Sequence, residues 1–374
     1  MRVRMVITRH RRPSWSTGRP GPRMPQAMQQ WNDVTALIPT TAVPSGEWDG
    51  CEAHVPKVEL GEPEAAVELE HSVSTDVAYV KTVFVNLFLY GQRGAPSGSW
   101  VLIDAGIPGS APWILGAAEE RFGPGSRPAA IILTHGHFDH VGALHALLEK
   151  WDVPVYAHRL ELPYLTGQSS YPPPDPTVGG GAMAAMSRFY PRGPFNFEGQ
   201  IRRLPADGSV PGMSGWRWIH TPGHSPGHVA LFRDSDRTLI AGDAFVTTKQ
   251  ESAIAALTYR PEIHGPPAYF TPDWGAARRS VEELAGLRPL RVATGHGPPM
   301  EGNEMLQNLQ RLAREFEHLA VPRRGRYVRD PAVMDENGLV AVPPAVPDPL
   351  PRILIGVGLA LLAGAMVRRS GRTG

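Results

Sequence analysis

Apolar residues in this chain come in short bursts separated by turn formers, and the period of the bursts changes along the sequence. Residues 77–90, VAYVKTVFVNLFLY, are dense in β-branched and aromatic side chains and predict strand. A turn over 91–98 leads to a second strand at 100–104. Strand and helix then alternate: helix 111–122, a buried strand at 129–133, helix 141–150 and strand 153–157. Short strands follow at 216–221, 228–233 and 238–241. A helix over 273–287 capped by Asp273, a strand at 291–294 and an amphipathic helix over 303–319 complete the pattern. This alternation predicts an α/β domain, and no stretch repeats another. Its one long interruption, residues 160–194, holds YPPPDP at 171–176 and GGG at 179–181. A break of that length inside a compact domain predicts a lid or binding loop.

The ends read differently from the middle. Residues 1–71 form an irregular arm, partly disordered. Its first 21 residues are rich in Arg and Pro and lack the apolar segment of a secretory signal, so they read as disorder or as leader before a later start at Met24 or Met28. After the domain at 72–325, prolines at 343, 344, 347, 349 and 351 predict a stiff linker over 326–352. Residues 353–367 are then 15 apolar residues in a row. A helix of that length spans about 22 Å against a ~30 Å hydrocarbon core, and flanking arginines at 352, 368, 369 and 372 can snorkel across the difference. The tail is either a membrane anchor or a helix folded back on the body. With no export signal the expected location is the cytoplasm, and the tail is the one route to a membrane.

Composition narrows the function. The chain has 374 residues, 37 basic and 36 acidic, for a net charge of +1. Only four of the basic residues are lysines, so the arginine excess is a compositional bias that acids balance, and it excludes a simple nucleic-acid partner. At 42% hydrophobic and 20% charged, wholesale disorder is excluded as well. The single cysteine, Cys51, rules out an intramolecular disulfide and a cysteine-rich zinc site. Fourteen histidines carry more information, because they cluster.

The first cluster is THGHFDH at 134–140, set between a buried strand and a helix start. The carboxyl end of a strand is where α/β sheets place their sites. His135 and His137 alternate on extended backbone and can point the same way, while Asp139 and His140 follow as the chain turns. The second cluster is HTPGHSPGH at 220–228, whose two Pro-Gly pairs force a defined loop able to hold His224 rigidly. Asp243 in IAGDA and His296 in ATGHG each follow a short apolar strand. Together these are seven ligand-type side chains, enough for two metals with three ligands each and one bridge. Imidazole with carboxylate suits zinc, iron or manganese.

The order of these motifs, with LIDAG at 102–106 ahead of them, resembles the metallo-β-lactamase superfamily and within it the glyoxalase-II-like hydrolases. The resemblance covers residues 72–325. It implies an αββα sandwich with two metal ions, zinc first and iron or manganese as alternatives, along one edge. It further implies that His135, His137 and His224 hold one ion and Asp139, His140 and His296 the other, with Asp243 between them. Asp104 matches an early strand aspartate that orients a ligand histidine. His220 and His228 take supporting roles in this reading.

The implied chemistry is hydrolysis by a metal-activated water, with Asp139 and Asp243 as the catalytic carboxylates. The cysteine ligand of several true β-lactamases has no counterpart here, which argues against antibiotic hydrolysis. Nuclease insertions are missing too, leaving a small carboxylic ester, lactone or thioester as substrate. The lid and the segment at 262–270 supply candidate substrate contacts: Tyr171, Tyr190, His264 and Tyr269. An iron-dependent persulfide dioxygenase with a similar motif, and a non-catalytic metal-binding protein, are the alternatives.

Overall fold

The computed structural model describes residues 70–347. The expectations for the arm before residue 70 and for the apolar tail at 353–367 lie outside the described residues. One sheet runs in the order β1 (His71–Ser74), β2 (Val77–Thr82), β3 (Val85–Tyr90), β4 (Val101–Ile103), β5 (Ala130–Ile132), β6 (Val155–Ala157) and β7 (Ile201–Arg203). It is antiparallel as far as β4 and parallel from β4 to β7. The second sheet is built from β8 (Trp216–His220), β9 (Val229–Arg233), β10 (Thr238–Ile240), β11 (Arg291–Ala293) and β12 (Met300–Glu301). The helices that matter for the layers are α1 (Ala111–Phe122), α2 (Phe138–Val141), α3 (Leu144–Lys150), α4 (Trp274–Gly286) and α5 (Gly302–Arg314).

The pleat explains the layering. Successive side chains on a strand point to opposite faces. Leu87, Leu89, Leu102 and Ile131 therefore pack outward against Ile114 and Ala117 of α1 and Leu144 and Leu147 of α3. Their neighbours Phe88, Val101, Ile103, Ala130 and Ile132 face inward, onto Trp216, Val229, Leu231, Ile240 and Ala293 of the second sheet. The other face of that sheet, Ala230, Phe232, Leu239 and Val292, takes Val281 and Leu284 of α4 and Leu309 and Leu312 of α5. Helix, sheet, sheet and helix stack as an αββα sandwich. Asp273 caps α4 as its position predicts, accepting from Ala276 N at 2.8 Å.

Several boundaries differ from the sequence reading. Residues 77–90 are two strands joined by a hairpin at Val83, whose φ is 62°. The helix expected from 141 is split at Gly142, so that α2 presents Asp139 and His140 before α3 begins. The last helix breaks at Glu315, with a separate turn at Phe316–Leu319. Part of the expected linker is structured: β13 (Val333–Asp335) and β14 (Gly338–Ala341) form a hairpin, and Tyr327 and Ala332 are buried in the core under the second sheet. The clustered prolines that suggest a stiff linker begin only at Pro343, past this hairpin.

Candidate metal centre

Each of the seven side chains follows the carboxyl end of a short strand or lies in the loop between two. Thr134 to His140 follow β5, Asp243 follows β10 and His296 follows β11, while His224 sits in the β8–β9 loop. Because β4 and β5 run parallel, as do β10 and β11, their carboxyl ends meet along one edge of the sandwich.

The structure brings all seven together as three overlapping triads: His135, His137 and His224; His135, His140 and Asp243; Asp139, His140 and His296. Within each, the ligand-type atoms lie within 4.8 Å of one another, and every residue is buried. Asp243 is central. Its Oδ2 lies 3.5 Å from His140 Nε2, 3.4 Å from His224 Nε2 and 3.0 Å from His296 Nε2. Four buried polar atoms here, His135 Nε2, His140 Nε2, His224 Nδ1 and Asp243 Oδ1, have no hydrogen-bond partner. Buried polar atoms are rarely left so, and four in one cluster fit a cation held by these side chains. Backbone packing permits the crowding: a Cβ at Gly295 would overlap the Asp243 carboxylate and approach His140 Cε1 to 2.8 Å.

Surrounding groups set the aim of the rings. Asp104, in a left-handed backbone turn with φ 63°, receives Thr134 N at 2.7 Å and Thr134 Oγ1 at 2.8 Å and holds His140 Nδ1 at 2.9 Å. His140 therefore presents Nε2 to the cluster. His296 gives its Nδ1 to the carbonyl of Phe84 at 2.8 Å, which is supplied by the β2–β3 hairpin. His228 is not part of any triad. Its Nε2 accepts from Asp243 N at 2.8 Å while Nδ1 meets Thr221 Oγ1 at 2.7 Å, so it fixes the backbone under Asp243. His220 stacks on His158 with centroids 4.2 Å apart and contacts Pro226 O at 2.8 Å.

Glu161 escapes the sequence reading altogether. Fully buried, its carboxylate accepts from Gly136 N at 2.9 Å, Ser225 Oγ at 2.8 Å, Gly227 N at 2.7 Å and the Tyr171 hydroxyl. One side chain thus ties the loop of His135 and His137 to the loop of His224 and to the lid. Burial pushes its carboxyl up, and the four donors pull it back.

Comparison with known proteins assigns the family. A family model described as the metallo-beta-lactamase superfamily matches residues 81–296. The chain belongs to that superfamily. It is 50% identical over 221 residues to "Probable metallo-hydrolase YflN" of Bacillus subtilis (strain 168), covering 59% of this chain and 84% of that protein. It is also 31% identical over 113 residues to hydroxyacylglutathione hydrolase GloC of Haemophilus influenzae, covering 30% of this chain and 48% of that protein. Among solved structures, TTHA1623 in a di-iron-bound form aligns with 63% of this chain and 96% of its own at 30% identity, with a TM-score of 0.39. As a member of the metallo-beta-lactamase superfamily, the chain is a metal-dependent hydrolase, and its histidine–aspartate cluster suits divalent cations.

Within this superfamily member the two ends of the cluster titrate in opposite senses. Burial, then the neighbouring imidazoles, hold His135 and His224 well below the usual histidine range. The same causes hold His137 at about 3. Burial also opposes charge on His140 and His296, yet the carboxylates beside them, Asp243 with Asp104 for His140 and Asp243 with Asp139 for His296, raise both. Asp243 is held well below the carboxylate range by His296 and His140 against the effect of burial, while burial raises Asp139.

The lid covers this centre. Residues 160–194 include short helices at Leu162–Leu165 and Ala182–Met186 and place Tyr171 on His137, with ring centroids 4.6 Å apart. Phe270 stacks on the same ring at 4.5 Å. The space left over His137 and His224 is about 10 Å³, room for about one water. Tyr190 and Tyr269 face each other at 5.7 Å near Phe138 and Asp139. Tyr171 reaches the centre, but its hydroxyl is spent on Glu161. His264 is not brought there. Backbone bonds to Val246, at 3.0 and 2.9 Å, align its segment, and its ring faces Glu251, with Nε2 3.9 Å from Oε2. It lines a different cavity of about 720 Å³ with Lys249, Glu304 and Arg311. Among the described residues no helix is long and apolar enough to cross a membrane.

Proposed function

We propose that the cluster holds two divalent cations, zinc in the first place, and that the enzyme hydrolyses a small thioester, ester or lactone. The observation that carries this reading is the set of interlocking triads around Asp243, with three imidazole nitrogens and one carboxylate oxygen buried and unpartnered. His135, His137 and His224 would hold one cation and Asp139, His140 and His296 the other, with Asp243 reaching both. Cations held there supply a water of lowered pKa and polarise the carbonyl under attack. The chain's own groups do the rest. Asp139, whose carboxyl burial pushes up, accepts the proton of the attacking water at its carboxylate and returns it to the departing sulfur or oxygen. Tyr171, Phe270 and Tyr269 exclude bulk water, which strengthens every charge interaction beneath them.

The likeness to a hydroxyacylglutathione hydrolase favours a thioester among the three substrate classes. The test is metal analysis of the purified chain followed by a panel of thioesters, aryl esters and lactones. Two metals per chain, activity lost on chelation and restored by zinc, and hydrolysis of the thioester are the expected results. One iron per chain with oxygen uptake on a persulfide would overturn the reading.

A further inference from the structure

Two cavities share Pro173 as a wall residue. One is the narrow gap over His137 and His224, walled by Pro172, Pro173, Tyr269 and Tyr327. The other, about 440 Å³, also has Pro173 in its wall and is lined by Arg188, Arg192 and Arg326. That volume lies within the range of small-ligand sites. Among the described residues its one acid is Asp175, and that carboxylate is already occupied. It accepts from Thr177 N at 2.9 Å, from Thr177 Oγ1 at 2.6 Å and from the backbone N–H of Arg326. Arg192 donates to Tyr171 O at 3.4 Å, and Arg326 lies 5.9 Å from the Tyr327 ring; neither pairs with a carboxylate among the described residues.

The arginine cavity is tied to the metal face. Tyr171 N donates to Arg192 O at 2.9 Å, and the Tyr171 ring packs on His137. The Tyr327 hydroxyl donates to Pro173 O at 2.6 Å. The larger cavity beside His264 offers no such route. Its lining shares no residue with the cluster, and Glu262, Glu301 and Glu304 there offset Lys249 and Arg311.

We propose that the Arg192–Arg326 cavity, which shares the Pro173 wall with the gap over the histidine cluster, binds the anionic, non-reacting end of the substrate, a terminal carboxylate or phosphate. Guanidinium groups match both oxyanions in charge and fork geometry. The proposal rests on the hydrolase reading above and adds the substrate class to it: acyl compounds with an anionic tail.

The test uses the metal-loaded full-length chain with Arg192→Ala, Arg326→Ala and the double variant. Three thioesters share one acyl group: a neutral one on N-acetylcysteamine, a dicarboxylate on glutathione and a phosphate on 4′-phosphopantetheine. The ratio of kcat/KM for the anionic thioesters to that for the neutral one should fall about 10- to 100-fold, through KM, the size of a lost charged hydrogen bond. Arg192→Lys should restore part of it. The anionic thioester that loses more identifies carboxylate or phosphate as the tail. An unchanged ratio overturns the proposal. Should the wild type hydrolyse none of the three, the thioester reading fails, and the subsite is judged separately by calorimetric titration with inorganic phosphate and with glutarate. Binding that the double variant loses upholds the subsite; equal binding overturns it.

Discussion

The two outer triads of the centre are equally buried and share Asp243 as neighbour, yet they hold protons differently. Around His135, His137 and His224 the neighbouring imidazoles add to burial and together outweigh the pull of Asp243, so the rings stay neutral. Around His140 and His296 stand Asp104, Asp139 and Asp243, and these carboxylates overcome burial. Burial alone therefore does not set the state of a buried histidine; the balance of its neighbouring charges does. Chemically, the first triad is a neutral cradle ready for a cation. The second holds protons that a cation must displace.

The largest expected effect comes from the residue that joins the two. Asp243→Ala removes the carboxylate that reaches His140, His224 and His296, so both positions should lose metal. The loss of affinity should exceed the roughly 10- to 100-fold typical of an outer support, with hydrolysis falling in parallel. Metal content after dialysis and kcat/KM measure it. Two metals retained at full rate would show that Asp243 joins nothing. A crossed pair of isosteric changes comes next. Glu161→Gln disturbs the loops of His137 and His224, and Asp104→Asn releases His140. Each should weaken one metal about 10- to 100-fold and spare the other, as read by competition with a chromophoric chelator. If both changes weaken the same metal, the two triads do not act as separate sites.

Which parts of this centre are legible in the sequence follows from how local each signal is. Pleat alternation in segments such as VLI at 101–103, with Leu102 outward and Val101 and Ile103 inward, is written in consecutive residues, and so are the ligand-rich motifs. The Asp104–His140 contact is legible through motif order. The β2–β3 hairpin is not. Its turn residue Val83 takes a left-handed φ of 62° with no Gly, Asn or Pro to announce it, yet the turn delivers the Phe84 carbonyl that orients His296. Glu161 is hidden for another reason: its donors come from positions 136, 171, 225 and 227, which only folding brings together. The local hint is a lone acid in the apolar stretch LELPYL, which asks for partners if buried. The β13–β14 hairpin carries an Asn337-Gly338 turn signal that the surrounding prolines obscure.

The smallest effect tests the electrostatic contrast itself and needs no mutation. In the metal-free protein His140 and His296 keep their protons above the ordinary histidine range, and burial raises Asp139 in the same direction. A cation entering that triad must release those protons. Its apparent affinity should therefore climb about tenfold per pH unit for each proton displaced, and level off once pH passes the raised values. His137 titrates at about 3 and its partners are held low as well, so the first triad has no proton to give between pH 6 and 8 as orders of magnitude go, and its affinity should stay flat there. Zinc titration by calorimetry, repeated in buffers of different ionisation enthalpy, counts the protons released at each step. One pH-independent step and one proton-releasing step is the expected pattern. Equal proton release at both steps would mean that the carboxylates around His140 and His296 do not distinguish the two positions.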